Sequence, residues 1–133
     1  MLADIVARTG PLKRKLKIVY DCGNGAGALV APQLMKKLGV EGRGLFCESD
    51  GTFPNHHPDP SVAKNLADLI EVVKKEKCAL GVAFDGDGDR IGVVDESGEI
   101  IWGDQLLALY AAEVLADNQG ATIIADVKAS RLL

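Results

Sequence analysis

The sequence predicts an α/β fold: a three-layer α/β/α sandwich around a mixed, mostly parallel sheet of about four or five strands. Three observations carry this. Short β-branched, apolar runs alternate with stretches of helical periodicity through most of the 133 residues. The runs Ala79 to Phe84 and Ile91 to Val94 are too close in sequence for the crossover that parallel neighbours need, so the sheet must be mixed. A chain of this length buries roughly two thirds of its unfolded surface, enough for a core without disulfides or structural metals.

Taken in order, residues 1–15 read as a lead-in helix or linker, with a break at Gly10-Pro11. Leu16 to Tyr20 is a β-branched strand that runs into the glycine-rich turn Asp21-Cys22-Gly23-Asn24-Gly25-Ala26-Gly27. Ala28 to Leu38 has helical spacing at Leu29, Leu34, Met35 and Leu38, with Gly39 as its C-terminal cap. Leu45 to Cys47 is expected as a short second strand, and Glu48 to Pro60 as a proline-stiffened loop. Ser61 is placed to cap a helix from Val62 to Lys77, with Leu66, Leu69, Ile70 and Val73 on one face. Strands Ala79 to Phe84 and Ile91 to Val94 flank an acidic loop, and a turn at Glu96-Ser97-Gly98-Glu99 precedes Ile100-Ile101. A helix starts at Gly103 or Asp104 and reaches about Asp117; Ala121 to Ala125 reads as a last strand. Ser130-Arg131-Leu132-Leu133 ends without a polar tail, as expected of a piece of a longer protein.

Composition narrows the function. The chain is 47% hydrophobic and 26% charged, an ordinary globular mix, and its formal net charge is −4. No basic face forms, which argues against a nucleic-acid partner; the Lys13-Arg14-Lys15 cluster reads as a solvated loop. No apolar run approaches the ~20 residues of a membrane span, and Met1-Leu2-Ala3-Asp4 does not open a secretory signal, so a cytoplasmic location without a membrane partner is expected. Cys22, Cys47 and Cys78 lack CxxC spacing and read as reduced, buried thiols.

The loop Asp85-Gly86-Asp87-Gly88-Asp89-Arg90 carries the chemistry. Two carboxylates about 5 Å apart at an effective dielectric of about 20 repel by about 3 kcal/mol, and nothing in packing calls for three. A hard divalent cation with oxygen ligands relieves that repulsion, and the glycines let the backbone turn the carboxylates toward one centre. The loop also leaves the carboxyl end of a strand, where α/β sheets place ligands. The bland alternative is a solvated acidic turn. A calcium EF-hand is disfavoured, because its sixth position needs Gly and is Arg90, and the flanks read as strands. Arg90 either neutralises its acidic neighbours or shares a phosphate with the bound cation.

Weaker signals surround this loop. Gly23-x-Gly25-x-x-Ala28 after a strand, with Glu48 further on, has the outline of a dinucleotide fingerprint, although Asp21 stands at the mouth of that site; a plain strand-to-helix turn is the simpler reading. His56 and His57 are adjacent and point apart, which suits loop-buttressing hydrogen bonds better than a paired metal site. Trp102, Leu106, Leu107 and Tyr110 read as core or domain contact.

The acidic loop resembles the metal-binding loop of the α-D-phosphohexomutases, the phosphoglucomutase and phosphomannomutase superfamily. Asp21 to Gly27, Phe53-Pro54-Asn55-His56-His57-Pro58-Asp59-Pro60 and Asp126-Val127-Lys128-Ala129-Ser130-Arg131 agree with that family in the same order. The resemblance implies the second of four domains over residues 16–126, with 127–133 beginning the next. It implies Asp85, Asp87 and Asp89 as Mg²⁺ ligands, Arg90 as a catalytic and substrate-binding contact to the phosphoryl group, and Lys128 near the reacting sugar. The plainer alternative for Lys128 is a surface lysine. The implied reaction interconverts hexose 1-phosphate and hexose 6-phosphate through a phosphoserine, with a phosphosugar and the other domains of the parent chain as partners. The serine motif itself, Ser-His-Asn-Pro, is missing from these 133 residues, so the chain alone is expected to be inactive. A free-standing divalent-cation or interaction module is the rival reading.

Overall fold

A computed structural model of the chain describes residues 2–10, 12 and 14–131. Met1, Pro11, Lys13, Leu132 and Leu133 lie outside the described residues, and with them the Pro11 half of the expected break, Lys13 of the basic cluster and the last two residues of the chain's end. The chain divides into two compact units, residues 1–100 and 101–133.

In the first unit, helix α1 (Leu2–Thr9) precedes strand β1 (Lys17–Asp21). A 3₁₀ turn (Ala26–Leu29) leads into α2 (Ala31–Leu38), and β2 (Glu41–Leu45) follows. A second 3₁₀ turn (Ala63–Leu66) opens α3 (Ala67–Glu76), which returns the chain to β3 (Leu80–Phe84) and β4 (Ile91–Asp95). A fifth, two-residue strand, β5 (Ile100–Ile101), completes the sheet order β2-β1-β3-β4-β5. β1 is parallel to both β2 and β3, and β3 is antiparallel to β4. The mixed, mostly parallel α/β sheet is thus as the sequence predicts.

Alternation along β1 builds the layers. Val19 points to one face, where it joins Leu66, Leu69, Val73, Cys78, Ala83 and Val94. Tyr20 points to the other, with Cys22, Ala28 and Ala31 and with Met35 packed against them. Gly81 serves the first face: a Cβ there would come within 2.9 Å of Leu69. Leu69 is fully buried, so Leu69→Ala is expected to destabilise the domain by about 2–5 kcal/mol. Urea melts of the variant measure this.

Several elements depart from expectation. β2 is Glu41–Leu45, not Leu45 to Cys47. Its glycines look unlike a strand, yet they make room for the Tyr20 ring, which would stand 3.0 Å from a Cβ at Gly42. Phe46, at φ +52°, then turns the backbone out of extended geometry, which excludes a strand through Cys47. The helices predicted over Ala28 to Leu38 and Val62 to Lys77 each begin instead with a 3₁₀ turn. Ser61 caps neither: its N–H and Oγ–H donate to Asp59 Oδ1, at 3.0 and 2.7 Å. Gly39 does terminate α2, in the left-handed region at φ +68°.

The second unit holds α4 (Gly103–Asp117), whose start is fixed by the Gln105 side-chain oxygen accepting the Trp102 N–H at 2.9 Å. Leu106 is buried, whereas Trp102 and Tyr110 are about half exposed. Ala121 to Ala125 forms no strand. β-branched composition contributes at most about 1 kcal/mol of preference, and no ladder partner engages this backbone; Ile124 stays 86% exposed. No helix among the described residues is long and apolar enough to cross a membrane.

Candidate metal centre

The parallel strands β1, β2 and β3 each release a loop at their carboxyl ends, and the three loops pack on one another. Glycine permits the closest approaches. A Cβ on Gly23 would stand 2.8 Å from Pro58 Cβ, and one on Gly25 would stand 2.6 Å from the Gly86 carbonyl oxygen. The Ala26 N–H donates to that same carbonyl at 2.9 Å. The acidic loop is therefore seated by backbone, not by adaptable side chains.

Asp85, the first residue beyond β3, is 2% exposed. Its Oδ1 accepts the Arg90 N–H at 3.0 Å and its Oδ2 accepts the Arg90 Nε–H at 2.8 Å. Burial pushes the Asp85 carboxyl pKa up, but these bonds from Arg90 outweigh it and hold the carboxyl below its ordinary value. Gly88, at φ +78°, closes the turn by donating its N–H to the Asp85 carbonyl at 3.2 Å. Asp87 and Asp89 are exposed, and the three residues offer carboxylate oxygens that all lie within 4.8 Å of one another. Repulsion from Asp87, and then from Asp85, raises the pKa of Asp89. Crowded hard-oxygen donors whose mutual repulsion Arg90 offsets only in part fit a small divalent cation.

Arg90 also reaches Asp59 Oδ1 through Nη1, at 3.3 Å. Its guanidinium thus lies against Asp85 and Asp59, which is the neutralising arrangement, while the side chain remains 59% exposed to an incoming anion. Lys128 lies in the second unit, where its Nζ stands 3.8 Å from Asp126 Oδ2 and the side chain is 85% exposed.

Two supporting contacts have partners that the sequence does not specify. Asn24, buried at φ +59°, donates through Nδ2 to the Glu48 carbonyl at 2.7 Å and accepts from Asn55 Nδ2 at 2.7 Å. His56 bridges Asp21 Oδ2 through Nε2 and the His57 carbonyl through Nδ1, both at 3.0 Å. A carbonyl only accepts, so Nδ1 carries a hydrogen, and one further proton must lie between Nε2 and the carboxylate. The loop-buttressing role expected of these histidines is therefore visible at His56. The nucleotide-fingerprint reading fails on the same geometry, because Gly25 and the Ala26 N–H are engaged by the acidic loop.

Burial, the largest influence, raises the Asp21 carboxyl pKa above 3.8 against the opposing bonds from Gly23 and His56. The folded state then holds the proton more tightly than the unfolded chain. The resulting stability is fully present below the ordinary carboxylate range and is lost as pH rises through the folded value. Asp21→Asn lacks this loss, so its stability relative to the parent should climb in urea melts as pH rises above the ordinary carboxylate range.

Fold and site together define a three-layer α/β domain that presents an oxygen-rich cradle at a strand end. Residues 3–98 match the family model "Phosphoglucomutase/phosphomannomutase, alpha/beta/alpha domain II", and the chain belongs to that family. It is 58% identical over 122 residues to a phosphomannomutase/phosphoglucomutase of Pseudomonas putida, and 56% identical over 122 residues to a phosphoglucomutase of Neisseria meningitidis serogroup A. Each match covers 92% of this chain and 26% of the relative. A crystal structure of a phosphoglucomutase/phosphomannomutase family protein from Burkholderia thailandensis superposes with TM-score 0.87 at 52% identity, over 91% of this chain and 26% of that one. The chain thus spans about a quarter of the length of the relatives it matches.

Proposed function

We propose that this chain is the Mg²⁺-binding domain of a longer cytoplasmic phosphosugar mutase that interconverts hexose 1-phosphate and hexose 6-phosphate of glucose or mannose. The observation that carries this reading is the convergence of Asp85, Asp87 and Asp89 at the carboxyl end of β3. Family membership and the names of the relatives support the reaction class. In this reading the domain occupies residues 16–126, after a lead-in at 1–15, and residues 127–133 begin the next domain.

Asp85, Asp87 and Asp89 hold the ion, which when bound supplies Lewis-acid and template chemistry at phosphoryl oxygens. Asp85 does two jobs, since its contact with Arg90 also fixes the end of the loop. Arg90 presents its exposed guanidinium surface to the phosphoryl group and offsets charge there. Asp59 steadies Arg90 from the neighbouring loop, as a positioning residue. Lys128 contributes from the junction with the next domain, by contact with the sugar. The phosphorylated serine, a further ligand in this reading, comes from elsewhere in the longer protein.

A missing doubly charged ligand weakens the isolated site. Calorimetric titration of the 133-residue chain with MgCl₂ is expected to show binding no tighter than roughly millimolar, in line with a site short of ligand charge. Sub-micromolar affinity would mean a self-sufficient cation module instead. The decisive experiment is a coupled assay of hexose-phosphate interconversion by the longer protein. Chelation should abolish turnover and Mg²⁺ restore it; turnover that survives chelation refutes the metal role.

A further inference from the structure

Two of the three free cysteines meet on the α2 face of the sheet: Cys22 Sγ and Cys47 Sγ lie 3.1 Å apart, although 25 residues separate them. The backbone sets this approach. The Cys22 N–H donates to the Leu45 carbonyl at 3.0 Å, and the Asn24 N–H donates to the Phe46 carbonyl at 2.9 Å. Phe46 then turns the chain in the left-handed region, and Cys47 Sγ folds back to within 3.3 Å of the Leu45 carbonyl. Gly44 makes this possible, since a Cβ there would stand 2.6 Å from Cys47 Sγ. A disulfide needs the sulfurs to close by only about 1 Å.

We propose that Cys22 and Cys47 form a reversible redox pair, closing to a disulfide on exposure to a peroxide and reopening with a thiol reductant. Cys22 is fully buried and Cys47 partly exposed, so oxidant reaches Cys47 first. Either sulfur can donate in this contact, which lowers the Cys47 pKa and raises that of Cys22; Asp21 opposes the thiolate at both. The Cys47 thiolate attacks one peroxide oxygen, the O–O bond breaks, and a sulfenic acid and hydroxide result. The Cys22 sulfur then attacks the Cys47 sulfur; the S–S bond forms, the S–O bond breaks, and water leaves with the Cys22 proton. Two electrons pass from the sulfurs to the peroxide. Reduction by a dithiol reverses the crosslink by exchange. Cys78 cannot take part, because it packs in the core on the opposite face of the sheet.

The test reads thiols alone, so it stands or falls separately from the metal reading. The 133-residue chain is treated with hydrogen peroxide under native conditions, then denatured and its thiols counted. The count should fall from three to one, with a Cys22–Cys47 link in the non-reducing peptide map. Native labelling of Cys47 by a maleimide should fall about tenfold or more and recover with dithiothreitol. Cys78→Ser should retain the link, and Cys47→Ser should lose it while its urea melt remains cooperative. Three surviving thiols overturn the proposal. So does oxidation of Cys47 to sulfinic acid beside an intact Cys22 thiol, or crosslinking only between chains.

Discussion

Asp87→Asn in the proposed longer mutase should lower turnover by roughly 10²-fold or more, as removal of one preorganised charge at a phosphoryl site does. Folding should be almost untouched, because Asp87 is exposed and a surface substitution typically shifts stability within about 0.5 kcal/mol. The signs can even oppose. Asp87 is the main cause of the raised Asp89 pKa, so without a divalent cation the amide relieves repulsion. Stability rising slightly in chelator while activity collapses is the mark of a group kept for chemistry at the expense of the fold. Steady-state assays in saturating Mg²⁺ and thermal melts in chelator measure the two sides. Near-normal turnover would remove Asp87 from the metal site. Asp85→Asn makes a useful contrast, since it weakens the contact with Arg90 as well and should therefore cost both activity and stability.

Gly25→Ala should damage the same site from outside it. Gly25 has φ −83°, where alanine is unstrained, so the added methyl acts through contact alone. That methyl would meet the Gly86 oxygen at 2.6 Å, Gly86 Cα at 3.0 Å and the Asp85 oxygen at 3.1 Å, all of them backbone atoms. No rotamer change relieves such a clash, so the acidic loop must shift. Overpacking of this kind destabilises by about 1–3 kcal/mol. A displacement of about 1 Å at reacting groups can lower turnover about 10²-fold. Gly86→Ala is the internal control for stability, because its Cβ would find only ordinary contacts at 3.5 Å to Pro58 and 3.7 Å to Phe53. Equal melting of the two variants would show that the glycine-rich turn does not seat the loop.

The acidic loop was legible because its signal is local: alternating Asp and Gly between two apolar runs needs no tertiary information. The same holds for the mixed sheet, Gly39 and α4. β2 was misplaced because its two glycines answer a requirement set by Tyr20 on another strand, which no window around Gly42 contains. Ala121 to Ala125 has strand composition, but a strand exists only where another backbone pairs with it. The contacts that support the loop are equally non-local: Arg90 and Asp59 are 31 residues apart, and His56 and Asp21 are 35 apart. Their residue types were visible in the sequence, whereas their pairing depends on three strands delivering their loops to one edge.

That shared edge restricts how the protein can be altered. Because Gly23 abuts Pro58 and Gly25 abuts Gly86 with no slack, a graft of the aspartate hexapeptide alone into a foreign α/β scaffold would arrive without its walls. Engineers wishing to move this aspartate cradle elsewhere must transplant all three connections as a matched set, and lineages diversifying it must change them in concert.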